Sequence, residues 1–132
     1  YSFVQGGDGG MEYPMLTLIT GKRRIGSLVG VSVHEFVHSW YHGMLASNEG
    51  RFPWMDEGMT QYASSNVMQQ LFPRSEAPHA SAFRGYEALV ASGKHEPPII
   101  HADHFATNMA YGVTAYNFGE LFVHQLGAVI GE

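Results

Sequence analysis

The sequence predicts a mostly helical α+β chain, with an edge strand or hairpin ahead of a run of helices. Three observations predict it. Apolar residues recur at i, i+3, i+4 spacing in several segments. One early segment is short, apolar and interrupted by proline, as an edge strand is. Glycine and proline punctuate the chain between these segments. With 132 residues, the chain is one domain or part of one, at ~100–200 residues per domain.

The elements follow in order. The glycine-rich run Gly6-Gly7-Asp8-Gly9-Gly10 reads as a loop. Residues 12–20 read as a strand, with apolar Met15, Leu16, Leu18 and Ile19. Pro14 cannot donate to a ladder, which places this strand at a sheet edge. Gly21-Lys22-Arg23-Arg24 makes a turn. A helix follows over residues 26–41, its stripe being Val29, Val33, Phe36, Val37, Trp40 and Met44. Gly43 is its expected terminator. After a loop with Asn48, Gly50 and Pro53, a second helix covers residues 55–71, with Met59, Tyr62, Ala63, Val67 and Leu71 on one face. Phe72-Pro73 stops it. A short helix over residues 81–92 ends at Gly93, Pro97-Pro98 opens an extended stretch, and a last helix begins near Tyr116.

Composition narrows the function. Charged residues make up 14%, against roughly 25% in an average soluble domain. Seven basic and twelve acidic side chains leave a net charge of −5, and the one basic cluster, residues 22–24, is too small to track a phosphate backbone. Nucleic acid is therefore not the partner. No apolar run approaches the ~20 residues of a membrane span. Cysteine is absent, so a thiolate metal site and a cysteine nucleophile are excluded, and nothing in the sequence indicates a compartment. The chain starts at Tyr1 without a targeting segment, and the apolar spacing of Leu121, Phe122, Val123, Leu126, Val129 and Ile130 runs almost to Glu132 without a cap. The chain is therefore expected to be an excerpt of a longer protein. The scarcity of charge fits a piece with many faces covered by its neighbours.

Eight histidines raise the question of a metal. His34-Glu35-Phe36-Val37-His38 fits H-E-x-x-H within the most periodic helix. Spacing i, i+4 puts both imidazoles on one face, one turn apart, where two ring nitrogens can converge on an ion at ~2.0–2.1 Å. Glu35 falls ~100° further round the helix, beside the metal, where a general base for a metal-bound water belongs. The competing reading is two half-buried histidines on an amphipathic helix. Catalytic zinc takes a third protein ligand. Glu57, eighteen residues beyond His38, lies in the first turns of the second helix and can return antiparallel to the first. Alone, Glu57 could equally be a carboxylate favoured by the helix N-terminal dipole; with both histidines in register it reads as the third ligand.

His34-Glu35-x-x-His38, eighteen residues, then Glu57 resembles the zinc site of the gluzincin metallopeptidases, specifically the aminopeptidase N family. Trp40 matches that family's Trp after the second His, and Trp54-Met55-Asp56-Glu57-Gly58 its Trp-x-(Asn/Asp)-Glu-Gly segment. Gly9-Gly10-Met11-Glu12-Tyr13 resembles its Gly-x-Met-Glu-Asn exopeptidase motif, and Tyr116-Asn117-Phe118-Gly119 its Tyr-x-Lys-Gly motif. Tyr13, Phe118 and His42 depart from the usual Asn, Lys and Gly.

The resemblance implies a thermolysin-like catalytic domain, of which residues 1–132 are the central part, and one Zn2+ held by His34, His38 and Glu57. It implies Glu35 as the base and Tyr116 as the donor to the oxyanion. It also implies a substrate-binding segment of Gly9, Gly10, Met11 and Glu12, where Glu12 takes the free α-amine of a peptide. The expected partners are peptides with a free N-terminus and the remaining domains of the parent protein. The implied activity is that of a zinc aminopeptidase; a gluzincin endopeptidase and a zinc-binding but catalytically silent module are the competing readings. Asp56 and Thr60 are candidates to orient a ligand. His42 reads as a neighbour of the site, and His79, His95 and His124 as surface or packing residues. His101-Ala102-Asp103-His104 is a weaker candidate for a second metal site.

Overall fold

The computed structural model describes residues 1–7 and 9–131; Asp8 of the glycine run and Glu132 lie outside the described residues. Three strands, β1 (Ser2–Gln5), β2 (Gly10–Tyr13) and β3 (Leu16–Ile19), form one sheet in the order β1-β3-β2. β3 runs antiparallel to β2, with Glu12 opposite Thr17, and parallel to β1, with Ser2 opposite Leu16.

The edge strand expected over residues 12–20 is instead the body of a hairpin. Tyr13 pairs with Leu16, leaving Pro14 and Met15 as a two-residue turn, and Met15 takes a left-handed φ of 59°. Proline's missing N–H is harmless in a turn. β3 is consequently the central strand, with Thr17 and Ile19 buried at the alternate positions a strand requires. The edge strands are β1 and β2. β1, exposed at every residue, has no sequence pattern to announce it.

Helix α1 (Ile25–Val37) ends before the expected Tyr41. The left-handed residues beyond it are His42 (φ 99°) and Ala46 (φ 52°), not Gly43. A π-helical turn, Trp54–Gly58, leads directly into α2 (Met59–Leu71), and α3 (Ala80–Ala91) ends toward Gly93, whose φ is 69°. After a short 3-10 turn, Ala102–His104, the chain is continuously helical: α4 (Asn108–Gly112), a second π-helical turn (Val113–Phe118) and α5 (Gly119–Ile130). This stretch begins well before Tyr116 because the Thr107 side chain caps it, accepting the Ala110 N–H at 3.1 Å. No helix among the described residues is long and apolar enough to cross a membrane.

α1 lies between the β2–β3 hairpin and α2, α2 packs on α5, and α3 packs on the second π-helical turn. The buried apolar residues are small or few: Ile19, Val37, Ala82, Leu89, Ala110, Ala115 and Leu121. Buried polar side chains share the interior, among them Thr17, Glu35, His38, Asp56, Thr60 and Glu120. Phe36 and Trp40, expected in the core, are exposed and meet edge to face at 5.3 Å. His79 is neither on the surface nor simple packing. It is buried, with Nδ1 2.8 Å from Glu120 Oε1, and ties the start of α3 to α5.

The first π-helical turn crosses the start of α5, directly after the second, where Gly58 meets Gly119. A Cβ on Gly119 would lie 2.6 Å from Gly58 Cα and 2.9 Å from the Trp54 carbonyl. Backbone cannot yield there, so Gly119→Ala should destabilise the full-length protein by about 2–3 kcal/mol, at the upper end of overpacking costs. Chemical denaturation measures this, and an unchanged midpoint would mean the crossing is looser than described.

Candidate metal centre

The site grows from α1. Its pitch stacks His34 and His38 with ring centroids 4.7 Å apart and nearly perpendicular planes. The turn Trp54–Gly58 then brings Glu57 against both rings. His34 Nε2 lies 3.1 Å from His38 Nε2 and 3.1 Å from Glu57 Oε2, and His38 Nε2 lies 3.4 Å from the same oxygen. Bonds of ~2.0–2.1 Å to a tetrahedral ion require donor atoms ~3.3 Å apart. The three atoms therefore fit three corners of such a shell, with the fourth left open.

The ring of His38 is held from behind. Asp56 Oδ1 lies 2.6 Å from its Nδ1, Thr60 Oγ1 3.2 Å and the Tyr41 carbonyl 3.3 Å. So many oxygens around one nitrogen keep a proton on Nδ1 and aim Nε2 at Glu57, so that loss of the Nε2 proton leaves the tautomer a metal ligand needs. Both Asp56 and Thr60 thus take the orienting place between which the sequence left the choice open. His42 stands one step further out, with Nδ1 3.4 Å from Asp56 Oδ1 and Nε2 3.4 Å from Glu49 Oε2. Its φ of 99° is one that glycine adopts freely and histidine only with strain.

Charge at the site follows from these contacts. Burial disfavours the Glu57 carboxylate, but hydrogen bonds from His34, His38 and Tyr116 outweigh it and hold its pKa down at about 2. Burial likewise opposes a charge on His38, and contacts with Asp56 and Glu57 overcome it, so without an ion His38 favours its proton well above the usual imidazole range. Glu35 is buried beside the donors; burial raises its carboxyl to about 7 against the pull of His34 and His38. Its Oε2 is buried with no hydrogen-bond partner among the described residues. Tyr116, in the second π-helical turn, lies parallel to His34 at 5.8 Å. Burial and the Glu57 charge keep its phenol protonated and hence a donor.

β2 closes the site from the sheet side. A Cβ on Gly10 would come 2.7 Å from Val31 Cγ2 and 2.9 Å from Glu35 Cδ, so glycine is what lets this strand lie against Glu35. Gly10, Met11 and Glu12 line one cavity with His34, Glu35 and Tyr116, whereas Gly9 lines another that shares Gly10, His34, Glu35 and Tyr116. The Glu12 carboxylate lies within 4.8 Å of donor atoms of His38, His42 and Asp56, and burial raises its pKa. Every site residue named from the sequence therefore lies at this one place. Among the described residues, His101, Asp103 and His104 form no comparable cluster; they are exposed, with His101 Nδ1 3.8 Å from Asp103 Oδ2.

The peptidase family M1 domain matches residues 9–132, starting where the motifs start. The chain belongs to that family. It is 31% identical over 140 aligned positions to aminopeptidase B of Rattus norvegicus, covering 94% of this chain and 20% of that protein. To leucine aminopeptidase 2 of Neurospora crassa it is 28% identical, with the same coverage of 94% and 20%. Aminopeptidase B of Homo sapiens is 42% identical over 67 positions, 48% of this chain and 10% of that protein. The chain thus spans a fifth or less of the length of these relatives. No solved structure matches it.

Two consequences for metal uptake follow. His38 must give up a proton to the ion, so zinc affinity should rise with pH through the neutral range, with proton release on binding. Calorimetry in two buffers of different ionisation heat reads this, and a pH-independent affinity would contradict the arrangement. Asp56→Asn should weaken zinc binding by about 10–100-fold through loss of ligand orientation.

Proposed function

We propose that this member of peptidase family M1 is the metal-bearing centre of a zinc aminopeptidase with a thermolysin-like catalytic domain. In this reading, His34, His38 and Glu57 hold one Zn2+. The observation that carries the proposal is the convergence of three donor atoms beside a buried carboxylate, Glu35, whose Oε2 has no hydrogen-bond partner among the described residues. A scaffold that merely bound metal would have no use for that carboxylate. The relatives' names, aminopeptidase B and leucine aminopeptidase 2, support the same class of reaction.

An ion held by His34, His38 and Glu57 would supply Lewis acidity toward the scissile carbonyl and toward a water. Glu35 takes a proton from that water as its oxygen bonds to the carbonyl carbon. It then passes the proton to the nitrogen of the leaving amine as the C–N bond breaks. The Tyr116 hydroxyl donates a hydrogen bond to the carbonyl oxygen as negative charge builds there. Glu12 pairs with the free α-ammonium of the peptide and so fixes the first peptide bond beside Glu35. The outer edge of β2, unpaired in the order β1-β3-β2, offers backbone groups to an extended substrate.

Three variants test these roles on an aminoacyl anilide and on peptides with free or blocked N-termini. Glu35→Gln should keep the zinc and lose turnover by roughly 10²–10⁴-fold. Tyr116→Phe should lower kcat by roughly 10²–10³-fold, the scale of one lost oxyanion donor. Glu12→Ala should damage chiefly the cleavage of free N-termini. Full activity in Glu35→Gln would end the mechanism, and equal cleavage of blocked and free peptides by the unmodified enzyme would end the aminopeptidase reading. Glu35 must be ionised to act, so activity falls as pH drops. A dication beside Glu35 pulls its pKa down, which puts that acid limb below the value of about 7 that burial and the neighbouring charges set without an ion.

A further inference from the structure

The stretches that carry Glu57 and Tyr116 come closest where Gly58 meets Gly119. Bare backbone sets the distance there and does nothing to set the rotation of one stretch against the other. Rotation matters for a hydroxyl that must meet an oxyanion. Such a donor works at about 2.7–3.1 Å, and a misplacement of about 1 Å can cost roughly 10²-fold in rate. Tyr116 is half-buried and borders a cavity of about 440 Å³ together with Gln61, Met109 and Glu120. Packed side chains do not fill that flank. The turn that carries Tyr116 is π-helical, a rare backbone form, so its setting depends on what grips it from outside.

A second contact lies about one turn further along each stretch. Glu120, four residues after Tyr116, is buried and accepts a hydrogen bond from His79 Nδ1 at 2.8 Å. His79 heads α3 and is itself buried. Its ring stacks on Tyr62 of α2, five residues after Glu57, with centroids 5.0 Å apart and planes 12° from parallel. His124 of α5 flanks the same ring at 4.5 Å. One imidazole therefore touches the helix that follows Glu57 and the helix that follows Tyr116, and it belongs to a third. α3 also grips the Tyr116 turn directly. A Cβ on Gly85 would collide with the Asn117 amide, so α3 lies against the residue beside Tyr116 as closely as glycine allows. Apolar packing would hold α3 on α5 too, but it is non-directional. A hydrogen bond fixes an angle as well as a distance.

We propose that the His79–Glu120 pair is a positioning device for Tyr116. It sets the rotation of the second π-helical turn against the helix that follows Glu57, and so aims the phenol hydroxyl at the carbonyl oxygen of a bound substrate. The inference rests on the aminopeptidase reading and on Tyr116 as the oxyanion donor. His79 acts only through the turn and touches neither the substrate segment nor the three metal-ligand candidates. His34 and His38 are placed by α1, and the ring of His38 is held by Asp56 and Thr60, so breaking the pair leaves them where they are. The hydrogen bond from Tyr116 strengthens only as charge builds on the oxygen. Its loss therefore falls on kcat and spares KM.

The test uses the full-length enzyme and an aminoacyl anilide, with zinc content measured on each variant. His79→Ala should lower kcat by roughly 10–100-fold, with KM and zinc content unchanged. His79→Asn, whose amide N–H can stand in for Nδ1–H, should recover most of that loss. The deciding comparison is a double-mutant cycle. In the Tyr116→Phe background there is no hydroxyl left to aim, so adding His79→Ala should cost less than about twofold in kcat. If His79→Ala does not accumulate as folded protein, Glu120→Gln replaces it in the cycle. That variant keeps the shape of the side chain and removes its charge, and its smaller loss of kcat should likewise vanish without the Tyr116 hydroxyl. An unchanged kcat in the folded variant, an equal loss in both backgrounds, or no recovery in His79→Asn would overturn the proposal. Full activity of Tyr116→Phe alone would overturn the oxyanion role of Tyr116 and this inference with it. Absence of turnover in the unmodified enzyme would overturn the aminopeptidase reading itself.

Discussion

Three electron-rich atoms, two imidazole nitrogens and one carboxylate oxygen, stand within 3.4 Å of one another. Such a group is stable only with positive charge among its members, whether protons or a metal ion. Much of the surrounding structure serves to hold it. α1 supplies the two rings at one-turn spacing. The π-helical turn at Trp54–Gly58 supplies the carboxylate. Asp56, Thr60 and the Tyr41 carbonyl fix the ring of His38 from behind. The interior is correspondingly rich in buried polar side chains, among them Glu35, His38, Asp56 and Thr60 around this group.

Placing Glu57 and Tyr116 together depends on backbone geometry. Each sits in a π-helical turn, a form found mostly as single turns and frequently at functional sites. The two turns approach as closely as Gly58 and Gly119 allow. Side chains at that crossing would push Tyr116 and Glu57 apart. Gly10 does the equivalent on the other side, letting β2 lie against Glu35 and carry Glu12 alongside His38. The arrangement of Glu12, Glu35, Glu57 and Tyr116 thus depends on three glycines as much as on those side chains themselves.

Local spacing was readable and long-range geometry was not. His34, Glu35 and His38 follow from helix pitch, and the helices themselves from apolar periodicity. Glu57 reads as a candidate ligand only through its distance from His38 and the register of both histidines, and Tyr116 and Glu12 stand out only through resemblance, because no local pattern distinguishes a functional tyrosine from a packed one. Pro14 was misleading: a proline within an apolar run looks the same at a sheet edge and in a tight turn. Trp40 and Phe36 follow helical spacing yet are exposed, since periodicity says which face is apolar and not what covers it. The His79–Glu120 pair joins residues far apart in the chain, so nothing short of the fold could reveal it. The strain at His42, with its φ of 99°, gives physical content to a departure that the sequence could only note.

The central claim is that one divalent ion sits on His34 Nε2, His38 Nε2 and Glu57 Oε2. Zinc-edge anomalous diffraction from crystals of the full-length protein tests it most directly. The account predicts a single peak within ~2.0–2.1 Å of those three atoms, with a fourth position open to solvent. A peak elsewhere, at His101 and His104 for example, or none after zinc is supplied at neutral pH, would contradict it.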